Sequence, residues 1–148
     1  MKVLASLGND VFVGNFESCD PAAYDLIIHV WRRSNVPNHT CKVVSGKIDH
    51  GLKVYWQEGA RLSELNPSFD EIVAYMKKPG KLLLHCVAGI CRSTQLAVAA
   101  LVVRGVEPVE AVRRVYDGCW NQYVLQGVPE LYNYNLHEMF VRLARKES

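Results

Sequence analysis

The residues best equipped for chemistry lie together in Lys81-Leu82-Leu83-Leu84-His85-Cys86-Val87-Ala88-Gly89-Ile90-Cys91-Arg92-Ser93-Thr94. The leucine run is short and wholly apolar, so it reads as a strand buried on both faces. Such a strand delivers Cys86 to the carboxyl edge of its sheet, where open α/β folds bind ligands. The chain then returns through Val87, Ala88, Gly89, Ile90 and Cys91 to a helix that starts near Arg92. Backbone N–H groups of that loop can turn inward as a nest, and the helix directs its positive end at the same point, so the segment suits an oxyanion. Gly89 permits close approach of the backbone. Arg92 supplies a planar fork that matches two phosphate oxygens. Together these groups favour the thiolate of Cys86 over the thiol. A thiolate facing a bound phosphate is a nucleophile in line for displacement. Ser93 can donate to the same sulfur when it later leaves. His85 reads as a residue that orients the loop through hydrogen bonds to backbone carbonyls. A base role for it is superfluous, because the nest already activates the sulfur.

The elements that must position this loop are legible around it. Val11–Val13 ends at Gly14, and Leu26–Val30 reads as a buried strand. Lys42–Ile48 and Leu52–Trp56 flank the turn-forming Asp49-His50-Gly51, as a hairpin or as two neighbouring strands. The pattern then becomes helical. Asn66-Pro67 predicts a helix start with Asn66 as cap, followed by an apolar face of Phe69, Ile72, Val73 and Met76. Pro79-Gly80 ends that helix. A second helix is predicted over 93–104, closed by Gly105. A third follows Glu107-Pro108 and carries Val109, Val112, Val115 and Tyr116 on one side. A last one begins near Pro129 with Leu136, Met139, Phe140 and Leu143. Strands first, then strand–loop–helix and further helices, predict an α/β fold with a central, mainly parallel sheet flanked by helices.

Composition bounds the function. The 148 residues suit one domain over 1–148, and with 49% apolar residues such a chain buries a core without metal or disulfide. The net charge of +2 argues against a polyanion-binding surface as the main activity. The apolar run Leu96–Val103 is far shorter than the roughly 20 residues of a membrane span. Five cysteines, Cys19, Cys41, Cys86, Cys91 and Cys119, without a signal-peptide pattern, lead to the expectation of a reduced, cytoplasmic protein. The histidines His29, His39, His50, His85 and His137 show no ligand-like spacing with the cysteines, so neither metal nor cofactor is expected.

His85-Cys86-x5-Arg92-Ser93 resembles the phosphate-binding signature of the protein tyrosine phosphatase superfamily. The chain length, the sheet before the motif and the helix pair after it are similar to the dual-specificity phosphatases. The resemblance implies a single catalytic domain working through a cysteinyl-phosphate without metal. Cys86 is then the nucleophile, Arg92 the phosphate and transition-state ligand, and Ser93 the aid to hydrolysis of the intermediate. The segment from Cys86 through Ile90 and Cys91 to Ser93 also resembles the loop of low-molecular-weight tyrosine phosphatases, which carry a second loop cysteine. Those enzymes place the loop at the N-terminus and have an Asp-Pro-Tyr motif that this chain lacks, so the likeness extends only to the chemistry of Cys91. An oxidised Cys86 could be trapped there as a reversible disulfide.

The leaving oxygen needs a proton, and a nearby carboxylic acid is the usual donor. The resembled family carries an Asp after a strand some thirty residues before the cysteine. Here Glu58 occupies that context, 28 residues before Cys86, with a longer side chain. Asp49 in its turn is the second candidate. Glu64 and Asp70 fit the approach to a helix and its first turn. Asn121 and Gln122, where related enzymes hold the hydrolytic water, are weaker candidates. None of residues 87–91 is basic, which favours a phosphomonoester on a protein over a multiply phosphorylated lipid. The expected partner is a phosphorylated protein carrying phosphotyrosine, phosphoserine or phosphothreonine in a shallow pocket, with Arg32, Arg33 and Arg61 meeting acidic flanks. Nucleic acid is not the expected partner. Two other readings stay open: an RNA 5′-phosphatase of the same superfamily, and a phospho-binding pseudophosphatase.

Overall fold

A computed structural model describes residues 4–14, 20, 22–31, 51–56, 60–85, 92–120 and 129–147, with the side chains at 4, 31, 92, 119, 120, 129–133, 146 and 147 excepted. The strands are β1 (Leu4–Ser6), β2 (Val11–Gly14), β3 (Leu26–Trp31), β4 (Leu52–Tyr55) and β5 (Leu82–His85). They form one sheet in the order β1-β2-β5-β3-β4. β1 is antiparallel to β2, and every other pairing is parallel. The helices are α1 (Phe69–Met76), α2 (Arg92–Val103), α3 (Pro108–Val115) and α4 (Pro129–Glu147).

β5 takes the centre because its leucines have no polar face to offer water. Leu82 and Leu84 join the main core, while Leu83 packs on the opposite face with Tyr24, Ile27 and Phe12. Val11, Val13, Leu26, Ile28, Val30 and Val54 project into the same main core as Leu82 and Leu84. All four helices close that face, through Phe69, Ile72, Val73 and Met76 of α1, Leu96–Leu101 of α2, Ala111 and Val115 of α3, and Leu136, Met139 and Leu143 of α4. α2 lies innermost and packs against β2, β5, α1, α3 and α4. This explains its Ala-rich sequence: small side chains let a helix be approached from every side.

Three local expectations change. α1 begins at Phe69, with Ser68 as cap accepting from the Glu71 N–H. Asn66 is instead held in an antiparallel bridge: Tyr55 N–H donates to the Asn66 carbonyl at 2.7 Å and Asn66 N–H to the Tyr55 carbonyl at 3.1 Å. A residue extended by that pairing cannot also lead into a helix. α3 buries Ala111 and Val115, whereas Val109 is 82% exposed and Tyr116 49%. Of the expected face, Val115 is buried and Val112 packs against the core, while Ala111 takes the buried place that Val109 and Tyr116 leave. β1 was not anticipated. It is joined to β2 by Gly8, Asn9 and Asp10, all at positive φ, a run that only Gly, Asn and Asp adopt readily.

The turn between α1 and β5 is fixed by one side chain. Arg104 donates to the carbonyls of Met76, Lys78, Gly80 and Asn9 at 2.8–3.2 Å. It thereby satisfies acceptors that the end of α1 leaves over, and ties them to the β1–β2 turn.

Candidate active site

The parallel strands β2, β5, β3 and β4 all finish on one edge, at Gly14, His85, Trp31 and Tyr55. β5 ends at His85 and α2 begins at Arg92, so the six residues from Cys86 to Cys91 span the step between them. Cys86, Val87, Ala88, Gly89, Ile90 and Cys91 lie outside the described residues. Arg92 is the first residue of α2, and the helix directs its positive end towards that step. Ser93 and Thr94 follow, each fully buried in the first turn.

The segment after β4 leaves from the same edge. With β3 between them, β4 and β5 are roughly 10 Å apart at the usual strand spacing. Glu58 and Asp49 themselves lie outside the described residues, as do His39, His50, Arg32, Arg33, Asn121, Gln122, Cys19 and Cys41. The described residues on either side of 57–59 make several hydrogen bonds. Trp56 is buried and its indole N–H donates to the Arg61 carbonyl at 3.0 Å. The Ala60 carbonyl accepts from Asn135 of α4 at 3.1 Å. Glu64 accepts from the Arg61 N–H at 3.1 Å, a local role at the start of a short 3₁₀ turn. Asp70 stands in the first turn of α1, as expected. The Arg61 guanidinium lies 5.1 Å from the centre of the Tyr134 ring.

His85 is fully buried, and its Nε2 lies 2.7 Å from Nδ1 of His29, itself 2% exposed. The rings meet edge to face at an interplanar angle of 88°. One imidazole donates and the other accepts, so each ring restricts the tautomer of the other. At Nε2, then, His85 meets a second histidine, a partner that its sequence position does not suggest. Strand register brings the two together, since His29 and His85 are direct partners in the β3–β5 ladder. Gly51 makes room on the far side of the pair. A Cβ there would come within 2.9 Å of His29 Nε2 and 2.5 Å of the Ile27 carbonyl oxygen. The only signal in the sequence is a polar residue inside an apolar strand, which names no partner. His29→Leu removes the group facing His85 Nε2 and should cost about 1–3 kcal/mol in urea unfolding, as for a buried polar atom left unsatisfied. His29→Asn, whose amide can reach the Nδ1 position, should recover most of that. A loss by the leucine variant below about 0.5 kcal/mol would show the contact to be unimportant.

Gln95 and Asn135 were also not anticipated. Asn135, 1% exposed on α4, donates to Gln95 Oε1 at 3.0 Å as well as to Ala60. Among the described residues no helix is long and apolar enough to cross a membrane.

A mainly parallel five-stranded sheet with its helices packed as above, and a strand–loop–helix step at its carboxyl edge, is the fold of the small dual-specificity phosphatases of the protein tyrosine phosphatase superfamily. Solved structures similar to the chain include human DUSP28, at 20% identity and a TM-score of 0.65 over 95% of each chain. A mutant form of Tk-PTP matches at 17% identity and a TM-score of 0.67, over 96% of this chain and 97% of that one. The human tyrosine phosphatase-like serine/threonine/tyrosine-interacting protein matches at 15% identity and a TM-score of 0.64, over 97% and 99%. No protein-family model and no curated protein sequence matches the chain.

Proposed function

We propose that the chain, as one catalytic domain, is a cysteine-dependent phosphomonoester hydrolase acting on phosphotyrosine and on phosphoserine or phosphothreonine in proteins. The observation that carries this reading is the step from His85 at the end of central strand β5 to Arg92 at the start of α2, with Cys86 and Arg92 at its two ends. In the first half-reaction the Cys86 thiolate attacks phosphorus, a P–S bond forms and the P–O bond breaks. Glu58, or failing it Asp49, gives its proton to the leaving oxygen. In the second half, water attacks phosphorus and gives a proton to the carboxylate left by the first step, the P–S bond breaks and the thiolate departs, while the Ser93 hydroxyl donates to the sulfur. Backbone N–H groups of residues 87–91 and the Arg92 guanidinium hold the equatorial oxygens throughout. The scheme needs no metal. It needs a reduced Cys86, which fits a cytoplasmic location, and Cys91 stands ready to trap an oxidised Cys86 as a reversible disulfide.

A glutamate in place of the resembled family's aspartate supports a second reading, a phospho-binding pseudophosphatase. An RNA 5′-phosphatase has less support, because residues 87–91 offer no positive charge. The deciding experiment presents wild-type protein with phosphotyrosyl and phosphothreonyl peptides and with 5′-triphosphorylated RNA. Phosphate release from the peptides is the expected result. Tight peptide binding without release would favour the pseudophosphatase, and release from RNA alone would move the activity to nucleic acid. For the proton donor, Glu58→Gln should lower kcat/KM on phenyl phosphate by about 10²–10⁴-fold and remove one limb of the pH–rate profile, with Asp49→Asn near wild type. The reverse pattern reassigns the acid to Asp49, and full activity in both variants excludes both.

A further inference from the structure

Asn135 makes two bonds, one to the segment after β4 and one to the first turn of α2. Its amide nitrogen donates one hydrogen to the Ala60 carbonyl, two residues beyond Glu58, and the other to Oε1 of Gln95, three residues beyond Arg92. The two bonded pairs are 75 and 40 residues apart in the chain, so this single side chain ties together three distant elements. With two acceptors on one side, the amide orientation is determined: reversing it would set an oxygen against two oxygens. Asn135 Oδ1 then points away and is buried with no hydrogen-bond partner among the described residues. An unsatisfied buried carbonyl costs stability, and a leucine would fill the same space without that cost. The polar residue is therefore poorly explained by packing alone. Its two bonds do what an apolar side chain does not: they set the distance and orientation between the segment after β4 and the first turn of α2. Trp56, bonded to Arg61, holds the same segment from its strand side.

We propose that Asn135 is the positioning residue that locks the general-acid segment to the helix closing the phosphate loop, through Ala60 on one side and Gln95 on the other. This rests on the phosphatase reading and on Glu58 as the donor. A misplacement of about 1 Å in such a group costs on the order of 10²-fold in rate. The loss must fall on substrates whose leaving group needs a proton, and must spare those whose leaving group departs unaided.

The test measures kcat/KM for phenyl phosphate and p-nitrophenyl phosphate in wild type, Asn135→Asp and Asn135→Leu. Gln95→Met is carried alongside, because it cuts the link from its other end. Hydrogen exchange of residues 60–65 is followed in the same proteins. The expected result is a loss on phenyl phosphate at least about tenfold larger than on p-nitrophenyl phosphate, with faster exchange in 60–65. Equal losses on the two substrates, or unchanged exchange in folded variants, would overturn the proposal and leave the phosphatase reading intact. A wild type that turns over neither substrate would overturn the phosphatase reading, and the positioning role with it.

Discussion

Cys86→Ser is expected to lower kcat/KM for p-nitrophenyl phosphate by at least about 10⁴-fold, since in the proposed mechanism the nucleophile acts as part of a unit and its removal leaves only binding. The substitution changes one atom, so the fold and the anion site should persist. What changes is ionisation. In the proposed mechanism a helix N-terminus and a guanidinium hold the thiol as its anion, which they cannot do for a serine hydroxyl. His85 is buried and bonded to His29, and no base for a serine is part of the proposed mechanism. Vanadate or phosphate binding, measured by calorimetry, should be retained in the variant. Mass spectrometry of the quenched wild-type reaction should find a phosphorylated Cys86 peptide. Residual turnover within about tenfold of wild type would mean that the sulfur is not the nucleophile, and would redirect attention to water as the attacking group.

The second large effect concerns Arg92. Arg92→Lys keeps the charge and loses the planar fork, and kcat/KM should fall on the order of 10²–10³-fold, the loss expected when a preorganised donor to the transition-state oxygens is removed. Arg92 opens α2, and the three residues that follow it are buried. A lysine there reaches the anion as a single flexible point charge and cannot hold two oxygens at once. The affinity for vanadate should weaken more than that for phosphate, because vanadate adopts the trigonal-bipyramidal geometry that the fork fits. A variant within about tenfold of wild type in kcat/KM would show that the helix N-terminus and loop N–H groups suffice without it.

The parts of this molecule that were readable in advance share a property: their information is local. Leu82–Leu84 declares a doubly buried strand by having no polar face, and it became the central strand with leucines in both cores. The apolar series of α1 and α4 emerged on the buried faces as expected, with Met76 and Met139 wholly enclosed. The misreadings arose where a distant partner competed with a local preference. Asn66 is a good helix cap by type, but the bridge to Tyr55 claims it and passes the cap to Ser68. Val109 belongs to a convincing apolar series of which Val115 is buried, yet α3 turns Ala111 inward and leaves Val109 in water. Three-residue β1 is too short to announce itself and exists because β2 pairs with it.

The candidate site divides along the same line. Cys86, Arg92 and Ser93 are bound to one another by covalent spacing across a strand, a loop and a helix, so their chemistry could be argued from residue types alone. The fold class followed for the same reason, since each element's burial pattern is written in its own residues. Only the tertiary structure could decide which side chains serve those elements from afar. His29 meets His85 across 56 residues because strand register places them side by side, and register is a property of the assembled sheet. Asn135 joins Ala60 and Gln95 because α4 packs on α2 at one particular rotation. A buried hydrogen bond is worth making only once the chain has already brought donor and acceptor out of water together, and that depends on the whole core rather than on any one segment.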